Sequence, residues 1–89
     1  MKLKGEFMVR EVAGELLAIP VGQTALDFNG MICLNDVSAL IWKGLQEGKT
    51  KDAILENVLN EYDVSREEAA GDLEHFLLEL GKNDLLTME

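Results

Sequence analysis

The residues whose type and spacing come closest to chemistry form an acid–histidine–acid row. Asp72 and Glu79 stand three and four positions from His75, the only histidine in the chain. On a helix this spacing places side chains on one face, which is what a metal site or a held general base requires. The same row lies on the polar side of an acidic helix, however, and rows of this kind are most often solvated charged faces. We predict neither a metal site nor a catalytic histidine here.

Cys33 is the only cysteine, which excludes an internal disulfide and any multi-cysteine metal site. It lies inside the apolar run Met31–Leu34, and this position favours a small buried hydrophobe over a nucleophile. The sequence contains no serine nucleophile motif, phosphate loop, dinucleotide fingerprint or zinc spacing. We therefore expect no catalytic residues, no cofactor and no enzymatic activity.

The charge balance excludes further classes of function. The chain has 89 residues and a net charge of −9, from 8 Lys and Arg against 17 Asp and Glu. Nucleic-acid binding needs clustered cations, yet residues 49–89 hold four cations and eleven acids. The same sign disfavours anionic membrane surfaces. We expect no nucleic-acid or membrane partner.

Length and hydropathy predict one domain over residues 1–89. No apolar stretch approaches the roughly 18–20 residues that span a bilayer. The first residues carry charges without an apolar segment behind them, so they do not have the pattern of a signal peptide. We expect a cytoplasmic protein.

The first third of the chain has the pattern of a sheet. Residues 7–12 and 15–19 flank Ala13-Gly14, which predicts a hairpin. Residues 23–29 alternate in polarity, and either an extension of the sheet or a loop fits them. Asn29-Gly30 then predicts a turn into a third strand, Met31–Leu34.

The rest of the chain has the pattern of three helices, each preceded by a capping residue. Asn35, Thr50 and Ser65 are the predicted N-caps of helices over residues 36–46, 51–61 and 66–82. Gly48 is expected to close the first of them in the left-handed region. Leu85 and Leu86 are expected to pack back onto the sheet. The fold class is α+β, a three-stranded antiparallel N-terminal sheet followed by three helices.

The apolar strand Met31–Leu34 is the candidate for function. An edge strand presents unpaired N–H and C=O groups, and natural edges are usually blocked by Lys, Pro or charge. This strand carries none of them. Two interpretations fit: the strand is central or covered, or its edge accepts an added peptide strand.

Several motifs in their order and spacing resemble the PqqD-like family, the RiPP recognition elements named for pyrroloquinoline quinone biosynthesis protein D. The likeness runs from about Phe7 to Leu86. It rests on Leu34-Asn35, Ile41-Trp42, Gly48-Lys49-Thr50, Glu61-Tyr62-Asp63-Val64, Asp72-Leu73-x-x-Phe76-Leu77-x-x-Leu80 and Leu85-Leu86.

The resemblance implies a winged helix-turn-helix architecture that binds peptide instead of DNA. Family members bind the leader segment of a ribosomally synthesised precursor and deliver it to a modifying enzyme, often a radical S-adenosylmethionine enzyme. The leader lies as an added strand on the third strand, with side chains against the third helix. Carried over, the resemblance implies a backbone edge at Met31, Ile32, Cys33 and Leu34 and a helix wall at Leu73, Phe76, Leu77 and Leu80.

Two other functions fit the same elements. A winged-helix transcription factor would share the fold, although the acidic third helix argues against it. A module whose strand pairs with its own copy would share the edge, so the chain is either a monomer or a weak homodimer.

Overall fold

The computed structural model describes residues 2–28 and 30–87, and these residues form five strands and four helices. In chain order they are β1 (Lys2–Leu3), β2 (Phe7–Val12), β3 (Glu15–Pro20), α1 (Gln23–Asp27), β4 (Ile32–Leu34), α2 (Asp36–Gln46), α3 (Lys51–Glu61), α4 (Arg66–Lys82) and β5 (Leu86–Thr87). They group into two compact units. One is Gly5–Ala39, the sheet unit, and the other described residues form the helical unit.

The sheet unit contains a three-stranded antiparallel sheet in the order β2-β3-β4. The hairpin between β2 and β3 closes on Ala13 and Gly14, whose φ values are 53° and 83°. Two consecutive positive φ values define a type I′ turn, whose twist matches that of the flanking strands. The predicted hairpin and three-stranded sheet are confirmed.

A short helix replaces the strand or loop that residues 23–29 predicted. The N–H of Ala25 donates to the carbonyl of Gly22 (3.1 Å), and the N–H of Phe28 donates to that of Thr24 (2.8 Å). The Thr24 hydroxyl also accepts from the N–H of Glu6 at 2.7 Å, which fixes this turn to the residue before β2. Both interpretations were wrong because five residues are too few to show a helical period. Asn29 lies outside the described residues.

The three long helices begin and end where the sequence predicts. The Thr50 hydroxyl accepts from the N–H of Ala53, and the Ser65 hydroxyl accepts from the N–H of Glu68, both at 3.1 Å. Gly48 has a φ of 74°, as expected for a residue that ends a helix in the left-handed region. In the helical unit the buried apolar residues are Ile41, Trp42, Leu45, Ile54, Val58, Ala69, Leu73, Leu77, Leu80, Leu85 and Leu86.

Leu85 and Leu86 are buried, but they do not join the three-stranded sheet. Leu86 pairs with Leu3 in a separate two-stranded sheet formed by β1 and β5, and the N–H of Lys4 donates to the carbonyl of Leu85 at 2.8 Å. The packing of Leu85 and Leu86 against the three-stranded sheet stays a prediction. The sequence did not predict the pairing of β1 with β5, because two-residue strands more than eighty positions apart leave no signal in the local pattern. The α+β fold class is confirmed. No helix among the described residues is long and apolar enough to cross a membrane.

Candidate functional site

β4 is an edge strand of its sheet. Within the residues that the structure describes, it pairs with β3 and with no further strand, so the interpretation of a central strand is wrong. The strand covers Ile32–Leu34, one residue fewer than predicted. Met31 precedes it and is 58% exposed.

The register determines which backbone groups of β4 point to the open edge. Antiparallel pairs alternate between hydrogen-bonded and non-hydrogen-bonded. Val12 and Glu15 flank the two-residue turn between β2 and β3, so they form a hydrogen-bonded pair. By alternation Arg10↔Leu17 is also a hydrogen-bonded pair, and the N–H and C=O of Leu17 therefore point toward β2. Leu17 is paired with Cys33. The Leu17–Cys33 pair is therefore non-hydrogen-bonded, and the N–H and C=O of Cys33 point away from β3.

The next outward N–H along the chain is already satisfied. The N–H of Asn35 donates to the Ser38 hydroxyl, and the N–H of Ser38 donates to the Asn35 side-chain oxygen, both at 2.8 Å. This reciprocal pair caps α2, as the sequence predicted for Asn35. It also ends the open edge, because it leaves Cys33 as the last residue of β4 with an outward N–H and C=O.

The side chains of β4 alternate between two faces of the sheet. Leu34 is buried and Ile32 half-buried, whereas Cys33 between them is exposed. The prediction that Cys33 is a buried hydrophobe was wrong, because an edge strand only three residues long buries one of its faces. The thiol lies on the face that carries Arg10 and Leu17.

The opposite edge of the sheet is chemically different. β2 carries Arg10 and Glu11, and charges of this kind hinder pairing with another strand. β4 carries no charged residue, and Pro is absent from it. Of the two edges of this sheet, β4 is therefore the one suited to accept another strand.

The four predicted residues of the helix wall divide into two groups. Leu73, Leu77 and Leu80 are between 1% and 6% exposed and belong to the core of the helical unit. Phe76 is half-buried, and its ring meets that of Trp42 edge to face. Phe76 is thus the predicted wall residue with the most surface to offer, and the peptide contact of all four stays a prediction.

A cavity of about 460 Å³ opens beside α4 in the helical unit. The sequence did not predict which residues line it. Its apolar part is formed by Leu77, Leu78 and Leu86, with Gly81 between them. The charged residues of its lining are Lys51, Glu74 and Lys82. We call this set of seven residues the α4 groove. The exposed Leu78, which lies off the apolar arc of its helix, was the only signal of it in the sequence.

The acid–histidine–acid row lies in solvent. Asp72, His75 and Glu79 are all exposed on α4. Among the residues that the structure describes, no three His, Cys, Asp or Glu side chains are grouped to hold a metal ion.

Comparison with known proteins identifies the family. The family model described as coenzyme PQQ synthesis protein D (PqqD) matches residues 22–86. The solved structure of TbiB1 in complex with the TbiA(beta) leader peptide is similar with a TM-score of 0.75 and 26% identity, over 100% of this chain and 98% of that one. No curated protein matches the chain significantly. The family model spans well over half of the chain, and the chain belongs to the PqqD family.

Proposed function

We propose that this protein binds the leader segment of a ribosomally synthesised precursor peptide as an added strand along β4. The whole chain, residues 1–89, acts as one peptide-binding domain, and it presents the bound leader to a separate modifying enzyme. Membership of the PqqD family supports the proposal. So does the likeness to TbiB1, a protein whose structure was solved with a leader peptide.

The open edge of β4 is the observation that carries the proposal. Cys33 directs an N–H and a C=O outward from a strand free of Lys, Pro and charge. A leader residue opposite Cys33 can exchange two backbone hydrogen bonds with it. The leader residues on either side of that one then project to the same face as Ile32 and Leu34.

Backbone pairing supplies only part of the affinity. Two hydrogen bonds contribute about 1–3 kcal/mol net, whereas a micromolar complex needs about 8 kcal/mol. At about 25 cal/mol per Å², the remaining 5–7 kcal/mol needs at least ~200–280 Å² of buried apolar surface, before the cost of ordering the peptide. We therefore propose that the leader carries two or more large apolar side chains, and that the predicted helix wall contributes to their binding through Phe76, Leu73, Leu77 and Leu80.

The catalytic step belongs to the partner enzyme in this proposal. The described residues of β4 and its flanks contain hydrogen-bonding groups and apolar side chains, which hold a peptide and do not transform it. The family resemblance implies that this partner is a peptide-modifying enzyme, often a radical S-adenosylmethionine enzyme. The exposed acids of α4 make nucleic acid an unsuitable ligand.

The experiment is a calorimetric titration with the leader peptide of the precursor encoded beside this gene, followed by amide hydrogen exchange. We expect a one-to-one complex in which the Cys33 amide becomes protected, because its N–H gains an acceptor. The Ile32 amide, which the register turns toward β3, serves as the internal reference and should change little. Binding that leaves Cys33 unprotected contradicts strand addition on β4, and absence of binding contradicts the proposed function.

A further inference from the structure

The face of the three-stranded sheet that carries the Cys33 thiol is the less buried of its two faces. The strand registers place on it Met8, Arg10, Val12, Glu15, Leu17, Ile19 and Cys33. Leu17 and Ile19 are half-buried, and the other five are exposed. The opposite face contains the buried residues Ala18 and Leu34. We call the first of these the Cys33 face, and as the solvated face of an antiparallel sheet it is expected to be polar.

Charge is unevenly distributed over the Cys33 face. Among the residues that the structure describes there, the charged ones are Arg10 on β2 and Glu15 beside the hairpin turn. Arg10 stands between the exposed Met8 and Val12, and its Nε donates to Sδ of Met8 at 3.0 Å. Val12 is paired with Glu15. On β2, each exposed apolar side chain of this face therefore has a charged neighbour.

The corner of the same face next to β4 is apolar throughout. Met31 directly precedes β4 and alternates with Ile32, so it projects to the side of Cys33. The register that pairs Leu17 with Cys33 brings Ile19 to the level of Met31. We call Leu17, Ile19, Met31 and Cys33 the Met31 corner. Met31 is 58% exposed, and contiguous apolar residues on an exposed face mark interaction sites more often than single ones do.

A leader strand on β4 would extend the Cys33 face by one strand. Opposite residues of neighbouring strands project to the same face, so the leader residue that pairs with Cys33 lies in one row with Cys33 and Leu17. Because Cys33 is small, a large side chain opposite it can lean over the thiol toward Leu17. Its diagonal neighbour is Met31, at a separation that long and aromatic side chains bridge.

We propose that the Met31 corner is a further part of the leader site, and that it selects a leader whose residue opposite Cys33 is large and apolar. That a leader is the occupant rests on the proposed function, whereas the apolar character of this residue rests on the corner itself. Its two neighbours project to the face of Ile32 and Leu34, which is also apolar. The recognised segment therefore contains three consecutive apolar residues, in contrast to the alternation expected of a strand with one solvated face.

The first experiment observes the methionine methyl groups of the full chain by NMR. The protein, isotope-labelled at these groups, is titrated with a synthetic leader peptide of the precursor encoded beside this gene. The Met31 methyl resonance should shift and saturate with the Kd measured by calorimetry, because the leader covers this side chain. The Met8 methyl lies on the same face but two strands away from β4, and as the internal control it should not shift.

A pair of serine variants measures the contribution of the corner. Met31→Ser should weaken leader binding roughly three- to tenfold, because apolar surface that the leader covers is lost. Its Tm should change little, since the side chain is mostly exposed. Val12→Ser is the matched control, because Val12 is 49% exposed on the same face but lies at the hairpin turn of β2. It should bind the leader with unchanged affinity.

A serine scan of the leader tests the predicted pattern. Three consecutive leader positions should each lose affinity, by roughly fivefold or more. In complexes with Met31→Ser the loss at the middle position should be smaller, because the two side chains contact each other in the wild-type complex.

A Met31 methyl that does not shift at saturation overturns the inference, as does equal leader affinity for Met31→Ser and Val12→Ser. So does a scan in which only alternate leader positions are sensitive. Protection of the Cys33 amide in the same samples would leave the proposed function intact in each of these cases. A Met31 methyl that shifts with protein concentration before any leader is added also overturns it, because a second copy then covers the corner. Absence of leader binding contradicts the proposed function, and the inference with it.

Discussion

The ring of Phe76 meets the indole of Trp42 edge to face, with ring centroids 6.5 Å apart and ring planes at 65°. Trp42 is 0% exposed, whereas Phe76 is half-buried. One ring of the pair is therefore accessible to a ligand while the other is closed in the core. Trp42 is also the only tryptophan. Its fluorescence consequently reports on any ligand that moves Phe76.

We expect leader binding to change the emission of Trp42, with a saturation curve that gives the same Kd as calorimetry. Phe76→Ala should abolish this change and weaken leader binding about tenfold, because it removes the most accessible ring of the predicted helix wall. It should also lower the free energy of unfolding by about 1–3 kcal/mol, through lost burial and the lost ring contact. Fluorescence and urea titrations measure both effects.

His75→Ala is the matched control for Phe76→Ala, since the neighbouring side chain is exposed on the same helix. It should leave the emission change, the Kd and the stability within experimental error. If Phe76→Ala binds the leader as tightly as wild type, Phe76 makes no contact with the leader. Recognition would then rest on β4 and on other apolar residues.

Because the N–H of Cys33 points outward and that of Ile32 points toward β3, proline should affect leader binding at one position and stability at the other. Cys33→Pro removes an N–H that points to the open edge, so the fold should persist, as it does for proline on edge strands. Leader affinity should fall about three- to tenfold for the lost hydrogen bond, and further if the fixed φ displaces the strand. Ile32→Pro removes the N–H that pairs with β3, and it should lower the free energy of unfolding by at least about 1 kcal/mol.

Cys33→Ala separates the backbone from the thiol. The side chain is exposed, and the proposed bonds use only the main chain, so this variant should bind the leader as wild type does. Calorimetry and urea unfolding of the three variants provide the comparison. An unaltered Kd for Cys33→Pro would show that the leader does not pair with β4 at this residue.

The features that the sequence predicted well are those set by neighbouring residues. The first residues of α2, α3 and α4 follow from Asn35, Thr50 and Ser65, because an N-cap needs only a side chain and an N–H three positions later. The lack of charge on β4 could also be read from the sequence, because it is a property of that strand alone, but whether the strand lies at an edge was left open until the sheet order was known.

What the sequence did not predict depends on elements far apart in the chain. The pairing of β1 with β5 joins the two ends, and the α4 groove combines α3, α4 and β5. Neither feature produces a periodic pattern in a short stretch of the sequence. The exposure of Cys33 could be predicted in part. Strand alternation already separates it from Ile32 and Leu34, but only packing decides which face is buried.

Asn35→Ala should lower the free energy of unfolding by about 1 kcal/mol. The Asn35 side chain accepts from the N–H of Ser38 at 2.8 Å, and the alanine variant leaves that N–H at the helix end without this acceptor. Asn35→Asp is the matched control, because a carboxylate accepts the same bond and is favoured at a helix N-terminus. Urea unfolding of the two variants decides the matter. Equal stability of Asn35→Ala and wild type would mean that the cap contributes nothing measurable.

Gly44→Ala should destabilise the protein, although alanine is the better helix former. A methyl group at Gly44 would lie 2.7 Å from Cγ1 and 3.3 Å from Cδ1 of Ile54, a side chain that is 0% exposed. The overpacking costs about 1–3 kcal/mol and exceeds the gain of about 0.5–1 kcal/mol in helix propensity. Gly71→Ala, where the methyl group meets nothing, should have the opposite sign.

A double-mutant cycle with Ile54→Ala tests the cause of the Gly44→Ala effect. Ile54→Ala alone should cost about 2–5 kcal/mol by leaving a cavity. In its presence Gly44→Ala should become neutral or stabilising, because the new methyl group enters that cavity, and the coupling should be about 1–3 kcal/mol. If the changes in free energy of unfolding were additive, contact with Ile54 would not be the cause of the Gly44→Ala effect.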